Sequence, residues 1–105
     1  MTDTPMPDFS RVVGFDWDRG NDRKSADKHR VERFEAEQIF VDPRMLVLQD
    51  NKHSKSEERF HAYGATSEGR LLQVCFTLRH DQTKIRVISA RDMSRKERTR
   101  YEEEA

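Results

Sequence analysis

Two apolar segments in the second half of the chain, residues 71–79 and 84–90, constrain the fold most strongly. Apolar and polar residues alternate along both, which is the pattern of strands with one buried face. His80, Asp81, Gln82 and Thr83 lie between them and provide a short polar connection. The sequence therefore predicts an antiparallel hairpin. Its predicted inward side chains are Leu72, Val74, Phe76, Ile85 and Val87.

Further strands are predicted upstream of this hairpin. Val13, Phe15 and Trp17 alternate with smaller or polar residues, as in a half-buried strand. An apolar run over residues 45–48 follows a proline, and residues 58–63 again alternate. The sheet is therefore expected to be four- or five-stranded and mostly antiparallel.

Helices are predicted on both sides of these strands. A first helix over residues 18–29 has a single apolar residue, Ala26, so we expect it on the surface. A second, over residues 32–41, places Ala36, Ile39 and Phe40 on one stripe. The fold class is therefore α+β, with two N-terminal helices and one C-terminal helix.

The C-terminal helix has a clear start signal and an unusual charge order. Ser94 and Glu97 have the spacing of a capping box. Basic residues then lie at the positive end of the helix and glutamates at the negative end, against the helix dipole. Tyr101 is its one large apolar group, so the sequence predicts either contact with another molecule or a frayed tail.

Composition predicts a small domain with little material for a core. Of 105 residues, 33% are apolar and 38% are charged, so we expect a small fold that a partner could complete. Residues 1–10 are predicted to be a disordered leader and residues 11–105 a single domain. The single cysteine, Cys75, excludes an internal disulfide and is expected to be buried. No apolar run approaches the roughly 20 residues of a membrane span, so we expect a cytoplasmic protein.

Charge is balanced overall but segregated along the chain. Lys and Arg total 20, as do Asp and Glu, yet residues 84–100 contain seven basic and two acidic residues. Such a segment gives a positive surface that attracts phosphates. The outer side of the predicted sheet collects Arg59, His61, Thr77, Arg79 and Arg86. Cleavage of RNA requires a base, an acid and cations that stabilise negative charge at phosphorus, and these residue types can provide them.

Each of these signals also has a structural interpretation. Strand arginines are commonly ion-paired, and Lys28 and His29 would complement the C-terminal dipole of the first helix. His53 lies in a polar loop and would be exposed. The histidines and cysteine have no metal-ligand spacing, and no glycine-rich phosphate loop is present, so the sequence predicts neither a metal nor a cofactor.

Six separated motifs resemble the BrnT toxins of bacterial toxin–antitoxin pairs. They are FDWD at residues 15–18, KH at 28–29, FVDP at 40–43, HSKSEERFHAYG at 53–64, RLLQVCFT at 70–77 and IRVISARDMSRKERTRYE at 85–102. Their order and spacing are those of the family. The resemblance covers residues 13–103.

The resemblance implies a small ribonuclease with a fold similar to the RelE toxins. It predicts a metal-independent endoribonuclease that arrests growth and is neutralised by a BrnA-like ribbon-helix-helix antitoxin. The toxin would contact DNA only through this antitoxin. The predicted catalytic residues are Lys28, His29, Glu58, Arg59 and Arg79, and the predicted RNA-binding residues are Arg86 and Arg91. On the C-terminal helix, Arg95, Arg98, Arg100 and Tyr101 are predicted to contact the antitoxin.

Departures from the family pattern keep a second interpretation open. Arg30 replaces the glycine that usually follows the KH motif, and a left-handed arginine costs about 1 kcal/mol. Asn21 and Ser25 replace a lysine and an asparagine, and the phenylalanine opening the second helix has moved to Phe34. The alternative is a catalytically weakened relative that binds antitoxin or RNA. A DNA-binding protein in its own right fits less well, because no helix-turn-helix pattern is visible.

Overall fold

The fold, taken from a computed structural model that describes residues 7–18, 30–53 and 57–104, is built on a five-stranded sheet. The strand order is β1-β5-β4-β3-β2. The strands are β1 (Gly14–Phe15), β2 (Leu46–Gln49), β3 (Phe60–Ala65), β4 (Leu71–Arg79) and β5 (Lys84–Asp92). Strands β2 to β5 pair antiparallel, as predicted, but β1 runs parallel to β5. The sheet is therefore mixed.

Two α-helices lie in the described part of the chain. Helix α1 (Arg33–Gln38) continues into a 3₁₀ turn, Ile39–Val41, and helix α2 (Arg95–Glu104) follows β5. A further 3₁₀ turn spans Asn51–His53. The α+β class is thus confirmed, and so are the second predicted helix and the C-terminal one. Apart from Asp18, the predicted first helix lies outside the described residues.

One face of the sheet packs against α1 and forms the core. All five predicted inward residues of the hairpin are buried there, together with Phe60 and Ala62 of β3. Ala36 and Ile39 cover them from the helix side, while Phe34 is exposed, as its position off the apolar stripe predicts. The alternation of the strands therefore gave the correct buried face.

An aromatic cluster extends this core beyond the predicted domain boundary. The ring of Phe9 lies 6.0 Å from that of Phe76 and 6.3 Å from that of Phe40, measured between centroids. Phe9 falls within the predicted leader, so the packed region begins earlier than residue 11. Val13, by contrast, is 77% exposed, because β1 is limited to Gly14–Phe15 and the predicted alternation does not begin at Val13.

A β-bulge changes which residues of β5 face the core. Cys75 pairs with Ser89, whereas the next residue, Phe76, pairs with Val87, so Ile88 is an extra residue on β5. Val87 is buried on one side of this extra residue and Ala90 on the other. The bulge thereby turns Arg91, which pairs with Gln73, away from the core.

Asp42 joins the 3₁₀ turn, β3 and α2. Its Oδ2 accepts hydrogen bonds from the Ala65 amide at 2.9 Å and the Tyr101 hydroxyl at 2.6 Å. Its Oδ1 accepts one from the Arg44 amide at 2.9 Å. Burial would raise the pKa of Asp42, but these hydrogen bonds outweigh it, so the pKa lies below its ordinary value. Helix α2 is thus anchored to its own domain.

The two ends of α2 show how this anchoring works. The capping box is present: Ser94 Oγ accepts from the Glu97 amide at 3.2 Å, and a Glu97 carboxylate oxygen accepts from the Ser94 amide at 2.9 Å. Near the other end Tyr101 is only 4% exposed. The sequence indicated no partner for Tyr101 within the chain. In the structure its partner is Asp42, which is distant in sequence but adjacent in space.

Candidate functional site

The sheet face opposite α1, called the outer face below, carries four of the predicted site residues, Arg59, Arg79, Arg86 and Arg91. Thr77 of β4 pairs with Arg86 of β5, and Arg79 pairs with Lys84. Arg59 directly precedes β3, whose first residue, Phe60, pairs with Phe76. The predicted strand phase is therefore correct.

The arginines of the outer face are held by carboxylates. Arg79 pairs with Glu57 at 2.9 Å, and Arg86 pairs with Asp18 at 2.6 Å. At the other end of the face, Arg91 donates to both carboxylate oxygens of Glu97, at 2.8 and 2.9 Å. A guanidinium fork binds carboxylate and phosphate with the same geometry. Each of these guanidinium groups is therefore already oriented towards an anionic group.

Glu58 lies at the edge where β3 begins and β4 ends. Its carboxylate accepts a hydrogen bond from the Gln49 side-chain amide at 3.0 Å. Its backbone carbonyl accepts one from the Thr77 hydroxyl at 2.6 Å, which fixes the backbone at this position. A cavity of about 290 Å³ opens here, lined in part by Glu57, Glu58 and Thr77. The side chain of Glu58 is exposed and can reach a bound ligand.

The predicted catalytic residues divide into two groups. Glu58, Arg59 and Arg79 come together at this edge of the sheet, and the Nε atom of Arg59 is buried there. Lys28 and His29 lie outside the described residues. Their neighbour Arg30 has a φ of 57°, the left-handed conformation that the usual glycine would favour, and its carbonyl accepts a hydrogen bond from Arg70 at 3.0 Å.

Helix α2 borders a groove of about 660 Å³ on the outer face. Leu46, Leu48 and Tyr63 form its apolar side. Arg95 and Arg100 contribute basic side chains from the helix, and Glu97 and Glu103 contribute acidic ones. Arg98 instead lines a separate hollow of about 280 Å³, so the three predicted partner-binding arginines do not share one surface.

Sequence reasoning missed one cluster on the outer face. His61 Nε2 lies 3.0 Å from Asp50 Oδ2, and Gln73 Nε2 lies 2.9 Å from His61 Nδ1. Cys75 is the neighbour of His61 in register on β4. One ligand atom each from Asp50, His61 and Cys75 lies within 4.8 Å of the others. Their spacing in the sequence carries no signal, because the cluster exists only once three strands pair.

Among the described residues, no helix has the length and apolar character needed to cross a membrane. No curated protein matches the chain significantly. The sequence model of BrnT, described as the ribonuclease toxin of type II toxin–antitoxin systems, matches residues 17–97. That span contains β2, β3, β4 and β5, including every arginine of the outer face. The chain therefore belongs to the BrnT family of ribonuclease toxins.

Proposed function

We propose that this chain is a metal-independent endoribonuclease that cleaves RNA and thereby arrests bacterial growth. The observation that carries the proposal is the grouping of Glu58, Arg59 and Arg79 at one edge of the sheet, where Arg79 pairs with the neighbouring Glu57, within a BrnT chain. Arg86 and Arg91, which lie on the outer face with Arg59 and Arg79, would bind RNA. Lys28 and His29 complete the proposed site.

The proposed reaction is transfer of the phosphate to the neighbouring 2′ oxygen. The 2′ oxygen attacks phosphorus, the bond to the 5′ oxygen breaks, and the product carries a 2′,3′-cyclic phosphate. Glu58 and His29 are the two candidates for the base that takes the 2′ proton and for the acid that gives a proton to the departing 5′ oxygen. Arg59 and Arg79 would stabilise the negative charge that accumulates at phosphorus, which is commonly a large contribution to catalysis.

RNA binding would proceed by exchange of ion-pair partners. Arg79 and Arg86 are bound to Glu57 and Asp18 in the free chain. An incoming phosphate replaces each carboxylate without leaving the guanidinium unsatisfied. The carboxylates would thus keep the guanidinium groups oriented before RNA arrives.

The test is induced expression in bacteria, with growth and total RNA followed over time. Wild-type chain is expected to arrest growth, and Arg79→Ala is expected to remove the arrest. Arg100→Ala is the matched control, because Arg100 forms a comparable exposed ion pair with Glu104 on α2 and does not line the cavity at Glu58. Normal growth at verified high levels of folded wild-type protein would contradict the proposal.

Purified protein tests the metal requirement directly. Cleavage is expected to continue in EDTA, because the proposed charge stabilisation comes from arginine side chains. Loss of cleavage that returns on addition of magnesium would contradict metal independence while leaving the ribonuclease assignment in place.

The proposed partner is a BrnA-like ribbon-helix-helix antitoxin, which would also provide the link to promoter DNA. Its contact would include Arg95 and Arg100, which border the apolar groove beside α2, and would extend to Arg98 on the adjacent surface of the same helix. Tyr101 would contribute by holding α2 in place. Arg95→Glu and Arg100→Glu are expected to weaken antitoxin binding. Unchanged affinity in both variants would remove the groove from the interface.

A non-catalytic binding module is the second candidate. The left-handed Arg30 next to the KH motif favours it, because a residue under backbone strain adjoins two proposed catalytic positions. Under this alternative the chain still binds antitoxin or RNA but does not cleave. Arg30→Gly distinguishes the two: toxicity that appears only in this variant would identify the natural chain as the weakened form.

A further inference from the structure

Three side chains with metal-binding donors converge on the outer face. Asp50 directly follows β2, His61 is in β3 and Cys75 is in β4. His61 and Cys75 face each other across the strand pair, and one donor atom of each of the three residues lies within 4.8 Å of the others. Hydrogen-bonded strands therefore set the separation of these donors.

The donor set matches zinc better than other common divalent ions. Zinc binds thiolate, imidazole and carboxylate together, whereas magnesium and calcium favour oxygen donors. Metal–ligand distances of about 2.0–2.3 Å place tetrahedral ligands about 3.3–3.8 Å apart. Here His61 Nε2 and Asp50 Oδ2 are 3.0 Å apart, and all three donor atoms lie within 4.8 Å of one another. The donors therefore differ from zinc-bound separations by about 1 Å at most.

Gln73 provides the outer support that a metal-bound imidazole requires. The Gln73 amide nitrogen lies 2.9 Å from His61 Nδ1, and His61 Nε2 lies 3.0 Å from Asp50 Oδ2. A neutral imidazole that binds a metal through Nε2 carries its hydrogen on Nδ1. A half-turn of the Gln73 amide then offers its oxygen to Nδ1, the arrangement that orients metal-binding histidines.

The exposure of the cluster fits a site with three protein ligands and one open position. The side chain of Asp50 is 8% exposed and Cys75 is 8% exposed, whereas the side chain of His61 is 31% exposed. Solvent can therefore reach the ion on the histidine side. Zinc sites with three protein ligands keep such a position for water or another small ligand.

We infer that Asp50, His61 and Cys75 form a binding site for a zinc ion, supported by Gln73. The site uses none of the proposed cleavage residues, although the Asp50 amide donates a hydrogen bond to the Arg59 carbonyl at 2.8 Å, and it ties together the end of β2 with β3 and β4. The inference does not depend on ribonuclease activity, because it rests on donor geometry alone.

The test uses cobalt as a spectroscopic probe of the full-length chain, prepared without a histidine tag and stripped with EDTA. Cobalt bound to a thiolate shows a charge-transfer absorption band, and Cys75 is the only cysteine in the sequence. We expect a band that saturates at one Co²⁺ per chain and disappears when Zn²⁺ is added. Zinc should also raise the Tm of the wild-type protein.

His61→Gln is expected to weaken cobalt binding by more than about tenfold and to remove the zinc-dependent rise in Tm. His80→Gln is the matched control, since His80 is an exposed histidine of the hairpin loop, and it should bind cobalt as wild type does. Circular dichroism establishes that each variant is folded. If Cys75→Ala does not fold, the comparison of His61→Gln with His80→Gln decides the question.

Absence of the thiolate band in folded wild-type protein at saturating Co²⁺ would overturn the inference. Equal cobalt affinity of His61→Gln and wild type would overturn it as well. RNA cleavage measured on the same samples separates the two proposals: a band without cleavage supports the zinc site alone, and cleavage without a band supports the ribonuclease alone.

Discussion

Replacing Tyr101 with phenylalanine measures how firmly the C-terminal helix is held by its own domain. The variant keeps the buried ring and removes only the hydroxyl, which donates to Asp42 Oδ2 at 2.6 Å. A hydrogen bond to a charged group contributes about 1.5–3 kcal/mol. Asp42 would still accept hydrogen bonds from the Ala65 and Arg44 amides, so the carboxylate would not be left without donors. We therefore expect a loss near the lower end, about 1.5–2 kcal/mol.

The ionisation of Tyr101 gives an independent measure of the same contact. Burial, the hydrogen bond to Asp42 and the negative charge of Asp42 raise the pKa of Tyr101 from 10.0 to about 12. Because one pKa unit corresponds to about 1.4 kcal/mol, burial and Asp42 together favour the neutral phenol by roughly 3 kcal/mol. The folded-state pKa is the higher one, so this stabilisation is complete below pH 10 and is lost as the pH rises towards about 12. Tyr101→Phe should lack this alkaline loss.

Urea and thermal unfolding, each followed by circular dichroism at neutral and alkaline pH, would measure the loss of stability and its dependence on pH. At neutral pH the expected change corresponds to a fall in Tm of roughly 6–16 °C, at about 4–8 °C per kcal/mol. Tyr63→Phe is the matched control, because Tyr63 is only half-buried and its side-chain hydrogen bond is to the neutral Gln73. A double-mutant cycle with Asp42→Asn isolates the coupling between the two side chains. A loss below about 0.5 kcal/mol in Tyr101→Phe, with an unchanged alkaline profile, would refute the reasoning.

Three further variants test other contacts. Arg30→Gly should raise the free energy of unfolding by up to about 1 kcal/mol, because glycine adopts the φ of 57° without strain; a decrease would show that the Arg30 side chain stabilises the fold. Glu97→Gln should reduce the acid sensitivity of folding. The Arg91 hydrogen bonds keep the pKa of Glu97 below its ordinary 4.5 despite burial, so its stabilisation is present above pH 4.5 and is lost as the pH falls through the lowered pKa; parallel acid-unfolding curves would contradict this. Gly64→Ala should destabilise by about 1–3 kcal/mol, since an added Cβ would lie 2.9 Å from Ile39 Cβ; a variant as stable as wild type in urea would show that this contact relaxes.

The features predicted correctly from the sequence are local ones. The buried face of the hairpin follows from alternation within each strand, and the start of α2 follows from Ser94 and Glu97, three residues apart. The loop between β4 and β5 also forms where predicted, although His80, Asp81 and Gln82 all adopt positive φ values there. Short-range patterns of this kind depend on few other parts of the chain.

The features that the sequence did not reveal depend on pairing between distant segments. Tyr101 meets Asp42 across 59 positions of sequence, and no pattern near either residue indicates the other. The parallel pairing of β1 depends on where this short strand joins the sheet. The alternation that begins at Val13 does not indicate that position. Asp50, His61 and Cys75 meet only after β2, β3 and β4 have formed. The assignments of Lys28 and His29 remain predictions from family resemblance.

The extra residue in β5 marks the position at which that strand can lose a residue without turning over. Upstream of Ile88 the odd-numbered residues Ile85 and Val87 face the core, whereas downstream the even-numbered Ala90 does. Deleting Ile88 would make Val87 and Ser89 neighbours, as their partners Phe76 and Cys75 already are, and would leave Ala90 facing the core and Arg91 facing away from it. Relatives in this family that are one residue shorter in β5 are therefore expected to have lost the bulge and kept the same buried face.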